Sequence, residues 1–393
     1  MLATRNNLVL AATLAGLCLG AGSCRRDPAP PDAQTRPASE QLVRDWPFWR
    51  GDQALTGVAP GGLGRNFRLK WRYKAGGEVR SSPVIVGGRV FVGSYDGTLH
   101  CVDFETGQPI WTHKADGEFD APPLVLDGRV YAGSGDSYLY ALNAADGKLL
   151  WKYETGDKIL GSANWTGEGQ DRRLLVAGHD GRVHCVRPDG TRQWAYRTEN
   201  VVNGTPAVSG GRVVVGGCDS NLHVVNLADG SSAGQVEAGA YMAASTALDG
   251  DRAYGGNYDG KVLCIDIRRR QVLWQYSEGD SVSPFTSSPA LVGGRVIIGG
   301  QDSRLHCIDA RGGQAVWTFA AREMIESSPL VVGDKVVVGS DDGRVYVLGL
   351  ADGKPIWSYD TGQPIKSSPG VYGGAILIGC EDGYLYAFEE AAR

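Results

Sequence analysis

A turn built on aspartate recurs along most of the chain and constrains its fold more than any other feature. The aspartate follows a run rich in valine and glycine and precedes glycine or serine. Its eight positions are Asp96, Asp136, Asp180, Asp219, Asp259, Asp302, Asp342 and Asp382. The spacings between them are 40, 44, 39, 40, 43, 40 and 40 residues. Self-similarity at a period of this length indicates a repeat architecture.

Each repeat contains four short runs of β-branched or aromatic residues. In the first repeat these runs are 84–86, 89–93, 99–103 and 110–112, and short turns containing Gly, Asp or Thr separate them. Such a pattern predicts a four-stranded antiparallel meander. Glycine, at 57 of 393 residues, is about twice its usual ~7% and suits many tight turns. Eight units predict an all-β, eight-bladed β-propeller whose blades cover one another.

The two ends of the repeat region predict how the ring closes. A strand bearing Trp71 precedes the first repeat, whereas the last unit, 369–388, has no such strand after it. The segment 69–73 is therefore expected to form the fourth strand of the last blade, which hides an open sheet edge. The predicted propeller spans 69–389. Residues 46–68 are expected to pack on it, and 390–393 to form a tail.

The resemblance to a known family rests on a motif at the end of each repeat. It reads Cys101-x-Asp103-x-x-Thr106-Gly107-x-x-x-Trp111 in the first copy. This is similar to the tryptophan-docking motif of quinoprotein-like propellers, the family of PQQ-type repeats, and the rival WD40 signature is missing. The resemblance implies that tryptophans pack between adjacent blades. Those tryptophans are Trp71, Trp111, Trp151, Trp194, Trp274, Trp317 and Trp357.

Two copies depart from the motif. The span from Cys185 to Trp194 is one residue shorter than in the other copies. Gly234 stands where the fourth blade should have its tryptophan. The joint after the fourth blade is therefore expected to be the least well packed of the ring.

The first residues read as an export signal. An apolar run of 13 residues, 8–20, suits a signal-peptide core and is too short to span a bilayer. Ala21, Gly22 and Ser23 then precede Cys24, which resembles a lipobox and implies a lipidated Cys24; ordinary cleavage at a small-residue site is the alternative. The segment 1–24 is thus a predicted signal peptide, and 25–45, rich in Pro and Ala, a flexible tether.

One column of the repeat is expected to ring a mouth of the central channel, because it precedes the step into each innermost strand. Its members are Arg80, Asp120, Gly161, Asn203, Ala243, Thr286, Glu326 and Lys366. In ring order Glu326, Lys366, Arg80 and Asp120 form a charged arc that contains both signs. This arc suits either a bound polar ligand or a rim whose charges pair with one another.

Extra residues between strands mark a second candidate site. The third blade carries an insertion over 164–171, with Asn164 in place of the usual proline, and a longer segment, 278–285, precedes the sixth. Insertions in repeat proteins map to one face. Trp165 is expected there as an exposed aromatic contact for a partner. A tolerated loop is the alternative.

Cysteine and histidine columns predict core packing rather than chemistry. Cys101, Cys185, Cys264 and Cys307 share a column with Ala and Val, which indicates a small buried slot. Cys218 and Cys380 are expected to be free thiols. His100, His184, His223 and His306 share a column with Tyr and Leu on separate blades, so no metal site is predicted.

The function predicted from these features is a non-enzymatic interaction scaffold in the bacterial cell envelope. A lipobox-like signal, a tether and one propeller resemble lipoproteins of outer-membrane protein assembly. This implies export to the periplasm or outer membrane, envelope-protein partners, membrane contact through the lipid alone and a monomeric propeller. A net charge of −5 gives no basic face for nucleic acid.

Two alternatives remain open. A PQQ-dependent dehydrogenase would, by family resemblance, carry adjacent cysteines joined by a disulfide, a calcium ion and a catalytic Asp. No adjacent cysteines exist here, so neither PQQ nor calcium nor a catalytic residue is predicted. A ligand-sensing or polysaccharide-associated propeller would use the charged channel mouth.

Overall fold

The computed structural model describes residues 45–279 and 282–391, and nearly all of their regular structure is short β-strand. The strands of the first half of the chain are β1 (Val58–Ala59), β2 (Phe67–Lys74), β3 (Val84–Val86), β4 (Arg89–Ser94), β5 (Thr98–Asp103), β6 (Pro109–Lys114), β7 (Leu124–Leu126), β8 (Arg129–Gly133), β9 (Tyr138–Asn143), β10 (Leu149–Glu154), β11 (Asn164–Thr166), β12 (Arg173–Gly178), β13 (Arg182–Val186), β14 (Arg192–Arg197), β15 (Ala207–Ser209), β16 (Arg212–Gly216), β17 (Asn221–Asn226) and β18 (Ser232–Glu237).

The second half continues the same pattern. Its strands are β19 (Ala247–Asp249), β20 (Arg252–Gly256), β21 (Val262–Asp266), β22 (Gln271–Tyr276), β23 (Ala290–Val292), β24 (Arg295–Gly299), β25 (Arg304–Asp309), β26 (Ala315–Ala320), β27 (Leu330–Val332), β28 (Lys335–Gly339), β29 (Arg344–Gly349), β30 (Pro355–Asp360), β31 (Gly370–Tyr372), β32 (Ala375–Gly379) and β33 (Tyr384–Glu390). A 3-10 helix occupies Gly169–Asp171. The described residues contain no helix that is long and apolar enough to cross a membrane.

Eight antiparallel sheets form the predicted eight-bladed propeller. Seven blades consist of four consecutive strands each, from β3–β6 to β27–β30. The second and third strands of a blade are almost wholly buried, as in β4 and β5, whereas the fourth alternates between exposed and half-buried residues, as in β6. The core therefore lies between blades, and each blade depends on its neighbours for burial.

The eighth blade confirms the predicted closure. The strand β2 pairs antiparallel with β33, with Leu69 opposite Phe388 and Trp71 opposite Ala387. It begins at Phe67 and so extends two residues beyond the predicted start. Pairing the beginning of the chain with its end leaves the last blade with its full set of four strands.

Glycine at the end of each second strand allows the blades to approach closely. A Cβ atom on Gly93 would lie 2.2 Å from the carbonyl oxygen of Phe119 in the next blade. No side chain fits there, so this position explains part of the glycine excess.

A segment before the propeller crosses one end of the central channel; we call residues 46–59 the axial segment. The innermost strand of each blade has one edge facing the channel, with backbone N–H groups that need acceptors. Carbonyl oxygens of the axial segment accept from six of these strands. The donors are the backbone N–H groups of Ile85, Val125, Val208, Leu248, Leu291 and Val331, at 2.8–2.9 Å.

The axial segment also contacts two further blades. In the third blade the side-chain amide of Asn164 replaces the backbone donor and reaches the carbonyl oxygen of Gln53 at 2.8 Å. In the eighth, Gly370 lies against the indole of Trp46, because a Cβ there would be 3.3 Å from it. The segment ends as β1, parallel to β27. The predicted signal peptide with Cys24, nearly all of the tether and residues 392–393 lie outside the described residues.

Candidate functional site: an axial cavity

The predicted column of channel-mouth residues lines a single cavity of about 360 Å³ on the propeller axis. The structure brings these residues together from every blade, although they are about forty positions apart in the chain. All eight members line the cavity, namely Arg80, Asp120, Gly161, Asn203, Ala243, Thr286, Glu326 and Lys366.

In the third blade the predicted register of this column is wrong by one residue. The buried apolar residue that precedes the column is Ile159, whose N–H bonds to Ser134 O just as Phe119 N–H bonds to Ser94 O. Leu160, rather than Gly161, is therefore the equivalent of Arg80, although both line the cavity. Asn164 does not stand for the usual proline; it is the first residue of β11. Two adjacent apolar residues made the register ambiguous in the sequence.

The axial segment closes the floor of the cavity. Trp49 lines the cavity and is only 7% exposed, and the guanidinium carbon of Arg50 lies 5.3 Å from its ring centroid. Arg50 is fully buried and donates to the carbonyl oxygens of Pro289 and Pro329. Burial lowers the pKa of Arg50 to about 9, partly offset by nearby Asp52. The axial segment therefore contributes Trp49 to the floor of the cavity, and Arg50 holds Trp49 from below.

One side of the cavity is charged: Arg80, Asp120, Glu326 and Lys366 line it. Together with Glu78, Asp341 and Glu381, which interact with these residues outside the lining, they form what we call the charged wall. Arg80 pairs with Glu78 at 2.8 Å and with Glu381 at 2.9 Å. Lys366 pairs with Glu326 at 3.2 Å and with Glu381 at 3.9 Å. Within the arc Lys366 thus pairs with Glu326, whereas Arg80 pairs with carboxylates outside the arc, and Glu381 bridges the two cations.

Asp120 is the member of the predicted arc that stays outside this pairing. Among the described residues it takes part in no ion pair within 4.0 Å and accepts no hydrogen bond. Burial raises its pKa to about 6, and Glu118 adds to the rise while Arg80 opposes it. The carboxylate is therefore less favourable as an anion here than in water.

Asp341, which lies behind the cavity lining, is a second carboxyl group whose pKa is raised. Burial and the neighbouring carboxylates Glu326 and Glu381 raise its pKa to about 6, against the opposing effect of Lys366. Its buried Oδ1 atom has no hydrogen-bond partner among the described residues. The charged wall thus holds five carboxylates but only two cations.

The opposite side of the cavity is polar and mostly uncharged. His179 contacts Asn203 at 2.5 Å between Nε2 and Oδ1. Tyr258, which is 44% exposed, lies near Tyr241 with 6.4 Å between the ring centroids. Thr286 and the hydroxyls of Ser245 and Ser288 complete this side.

Sequence reasoning missed a second ring of residues around the mouth. Each of them directly precedes the repeated aspartate, and several contact a residue of the first column in their own blade or in the next blade. Its members with contacts at the mouth include Tyr95, His179, Tyr258, Gln301, Asp341 and Glu381. The sequence contained a signal for this ring, because its residues occupy the same position in every repeat and are variable and mostly polar.

The tryptophan-docking residues make the same indole hydrogen bond at seven of the eight joints between blades. Trp71 Nε1 donates to the carbonyl oxygen of Phe104 at 2.7 Å, and its ring covers Gly107 of the next blade. Gly107 has φ +68°, and a Cβ there would lie 2.8 Å from the indole, so the turn needs glycine. Equivalent indole hydrogen bonds of 2.8–3.2 Å are made by Trp111, Trp151, Trp194, Trp274, Trp317 and Trp357.

The joint after the fourth blade, which lacks a tryptophan, is filled in a different way. Arg270 occupies the turn position held by Gly107 in the first blade, with φ +58°. A Cβ on Gly234 would lie 2.6 Å from Cδ of Arg270. The arginine side chain therefore takes the space of the missing indole. That this joint packs least well stays a prediction.

The prediction for Trp165 is wrong in its structural premise. Trp165 lies in the innermost strand β11 rather than on a loop, and it is half-buried. Its ring packs edge-on against Phe48 of the axial segment, with centroids 5.1 Å apart. The extra residues of the third blade instead form the connection from β11 to β12, around the 3-10 helix.

The cysteine and histidine columns have structural roles, as predicted. The four column cysteines are fully buried, and Cys218 and Cys380 are free thiols. Each column histidine bonds to a tyrosine hydroxyl of the preceding blade, as His184 Nδ1 does to Tyr153 at 2.9 Å. Its other nitrogen contacts an acceptor in its own turn, here Asp180 at 3.0 Å. No group of three or more His, Cys, Asp or Glu side chains in the described residues is arranged to hold a metal ion.

Comparison with protein families matches nearly the whole propeller. The profile described as outer membrane protein assembly factor BamB, a PQQ-type repeat family, matches residues 65–168, 162–281 and 259–392. A search of curated proteins finds no match.

Three solved structures share the architecture. BamB from Moraxella catarrhalis has a TM-score of 0.69 at 17% identity, covering 84% of this chain and 99% of that one. The computationally designed Ika8 protein has a TM-score of 0.70 at 16% identity, covering 82% and 100%. A europium-containing methanol dehydrogenase has a TM-score of 0.72 at 13% identity, covering 90% and 99%. At these identities the likeness shows the fold alone.

Proposed function

Because the chain belongs to the family of PQQ-repeat propellers described as outer membrane protein assembly factor BamB, we propose that it is a non-enzymatic scaffold. Its partners are proteins of outer-membrane assembly in a bacterial envelope. The observation that carries this proposal is the match of that family along residues 65–392, the whole ring of blades.

The geometry of the outer strands supports protein contact. The fourth strand of each blade ends its sheet, so one backbone edge is unpaired within the described residues. On β10 two adjacent leucines, Leu149 and Leu150, are 48% and 47% exposed. Exposed apolar side chains beside a free strand edge suit a docked protein segment.

Site-specific photo-crosslinking in the envelope tests this function. Photoreactive residues at Leu150 on an outer strand, Tyr241 at the mouth and Glu105 on a blade turn sample separate parts of the surface. We expect at least one position to crosslink to an outer-membrane assembly component, identified by mass spectrometry. Crosslinks only to unrelated proteins, or none from a folded protein at any position, would contradict the scaffold proposal.

We also propose that Cys24 carries a lipid that anchors the propeller through the tether. Two or more acyl chains anchor a protein stably, whereas one chain gives weak binding. The variant Cys24→Ser should move the protein from the membrane fraction to the soluble periplasmic fraction. A wild-type protein already in the soluble fraction would show that the chain is exported without an anchor.

The residues of the cavity do not fit PQQ. PQQ is a planar tricarboxylate, whereas the charged wall holds five carboxylates and its two cations are already paired. The described residues also hold no group of three or more His, Cys, Asp or Glu side chains arranged around a metal ion. In a titration with PQQ and calcium we expect no stoichiometric uptake by absorbance. Tight uptake would favour a dehydrogenase, the class of one structural neighbour.

A further inference from the structure

We propose that the axial cavity is a binding site for an amino sugar, a ligand with one ammonium group on a polyhydroxylated ring. This inference goes beyond partner docking and does not depend on it. The cavity, at about 360 Å³, is closed at its floor by the axial segment. It lies at the small end of the roughly 300–1,000 Å³ range of ligand sites. A single small ligand entering from the mouth suits this shape.

The floor offers an aromatic surface to a ligand. Trp49 is 7% exposed, lines the cavity, and has no hydrogen-bond partner for its indole Nε1 among the described residues. The Nε1 atom itself has almost no accessible surface, so a ligand would contact the ring atoms of Trp49 rather than its N–H. The flat indole also suits the apolar face of a sugar ring.

The charged wall selects the ammonium group. Asp120 lines the cavity without an ion pair or hydrogen bond among the described residues. Glu326 also lines it, bound to Lys366 and to Gln301 at 2.9 Å. The cavity lining holds two carboxylates, Asp120 and Glu326, and two cations, Arg80 and Lys366, and both cations are already paired. Asp120 is therefore the carboxylate left to a ligand cation, which a charge-assisted hydrogen bond would hold.

The opposite side limits the ligand to one charge. Asn203, Thr286, Tyr258 and the serine hydroxyls there are uncharged donors and acceptors. They match neutral hydroxyl groups and offer no partner for a second ammonium or for a carboxylate. A polyhydroxylated ring with a single ammonium group satisfies both sides of the cavity.

Calorimetric titration of the full chain with glucosamine and glucose tests the inference, because the two sugars differ by an ammonium in place of a hydroxyl. We expect glucosamine to bind at least about tenfold more tightly than glucose, the size of one charge-assisted hydrogen bond. Asp120→Asn should remove most of that preference. The matched control, Asp146→Asn on an exposed turn, should bind glucosamine like the wild type.

A second variant and ligand complete the design. Trp49→Leu removes the aromatic ring from the floor, so it should weaken the binding of both sugars several-fold, with folding checked by thermal unfolding. N-acetylglucosamine joined β-1,4 to glucosamine is a disaccharide with one ammonium group. Tighter binding of this disaccharide than of glucosamine would point to a glycan end, and equal binding would point to the free sugar. No binding of glucosamine, equal binding of glucose, or unchanged binding by Asp120→Asn would each overturn the inference.

Discussion

Asp341 lies among more carboxylates than cations, and this makes its charge unfavourable. Burial, Glu326 and Glu381 raise its pKa to about 6. The folded state therefore binds the proton more tightly than the unfolded state, and stability falls as pH rises between about 4 and 6. Asp341→Asn should raise the free energy of unfolding by about 1 kcal/mol above pH 7, discounted for partial exposure.

The pH dependence of that gain is the decisive measurement. Below about pH 4 the wild-type carboxyl is protonated in both states, so the gain from Asp341→Asn should vanish there. Denaturant unfolding at several pH values follows it. A gain of equal size at pH 4 and above pH 7 would show that hydrogen bonding, rather than charge, causes the change.

Arg50 stabilises the axial segment by donating buried hydrogen bonds to two backbone carbonyl oxygens. Arg50→Met would leave the acceptors of Pro289 and Pro329 without their donor. We expect a loss of about 1–3 kcal/mol in the free energy of unfolding. Arg68→Met, at an arginine whose side chain is 66% exposed and paired with Glu389, is the control and should change it little. Equal effects of the two variants would contradict a special role for Arg50.

At the scale of elements, the joint between the fourth and fifth blades exchanges one docking pair for another. Gly234 and Arg270 replace the tryptophan and glycine of the other joints, and Arg270 fills the space. Gly234→Trp alone should cost about 2 kcal/mol or more, because the indole collides with the arginine. In the Arg270→Gly background the same change should cost less by at least about 1 kcal/mol.

A double-mutant cycle of these two positions by thermal or denaturant unfolding measures the coupling. Trp111 and Gly147 provide the matched cycle at an ordinary joint, where Gly147→Arg should be tolerated better once Trp111→Gly has opened the space. Additive effects at 234 and 270 would show that the two residues do not share one site.

The strands and turns were the features of this molecule that the sequence predicted best. Alternating runs and aspartate turns of the first repeat correctly predicted β3 to β6, because hairpins form between neighbours in sequence. The register failed at Ile159 and Leu160, where either apolar residue could fill the buried position. Trp165 was misplaced for the same reason, since the insertion begins one strand later than the sequence suggested.

At the scale of the whole molecule, two segments near the beginning of the described chain have different structural roles. The strand β2 completes the eighth blade, and the axial segment covers the channel end. A chain starting at residue 60 should stay monomeric but unfold at a lower temperature, because six inner-strand N–H groups lose their acceptors.

A chain starting at residue 75 should behave differently, because it exposes the edge of β33. Unpaired edges associate, so we expect oligomers or aggregates by size-exclusion chromatography with light scattering. A stable monomer from residue 75 would show that the eighth blade does not need its N-terminal strand.

The sequence by itself determined the number of blades, their strand order and the closure of the ring. These follow from a period of about forty residues and from turns that are local in the chain. It also placed Arg80, Asp120, Glu326 and Lys366 at one mouth, because a repeated position recurs at the same depth in every blade. Only the tertiary structure decided that Glu381 bridges the cations, that Arg270 replaces an indole and that the axial segment floors the cavity. Those contacts join residues of different blades or segments, and no local pattern encodes which side chains meet across such distances.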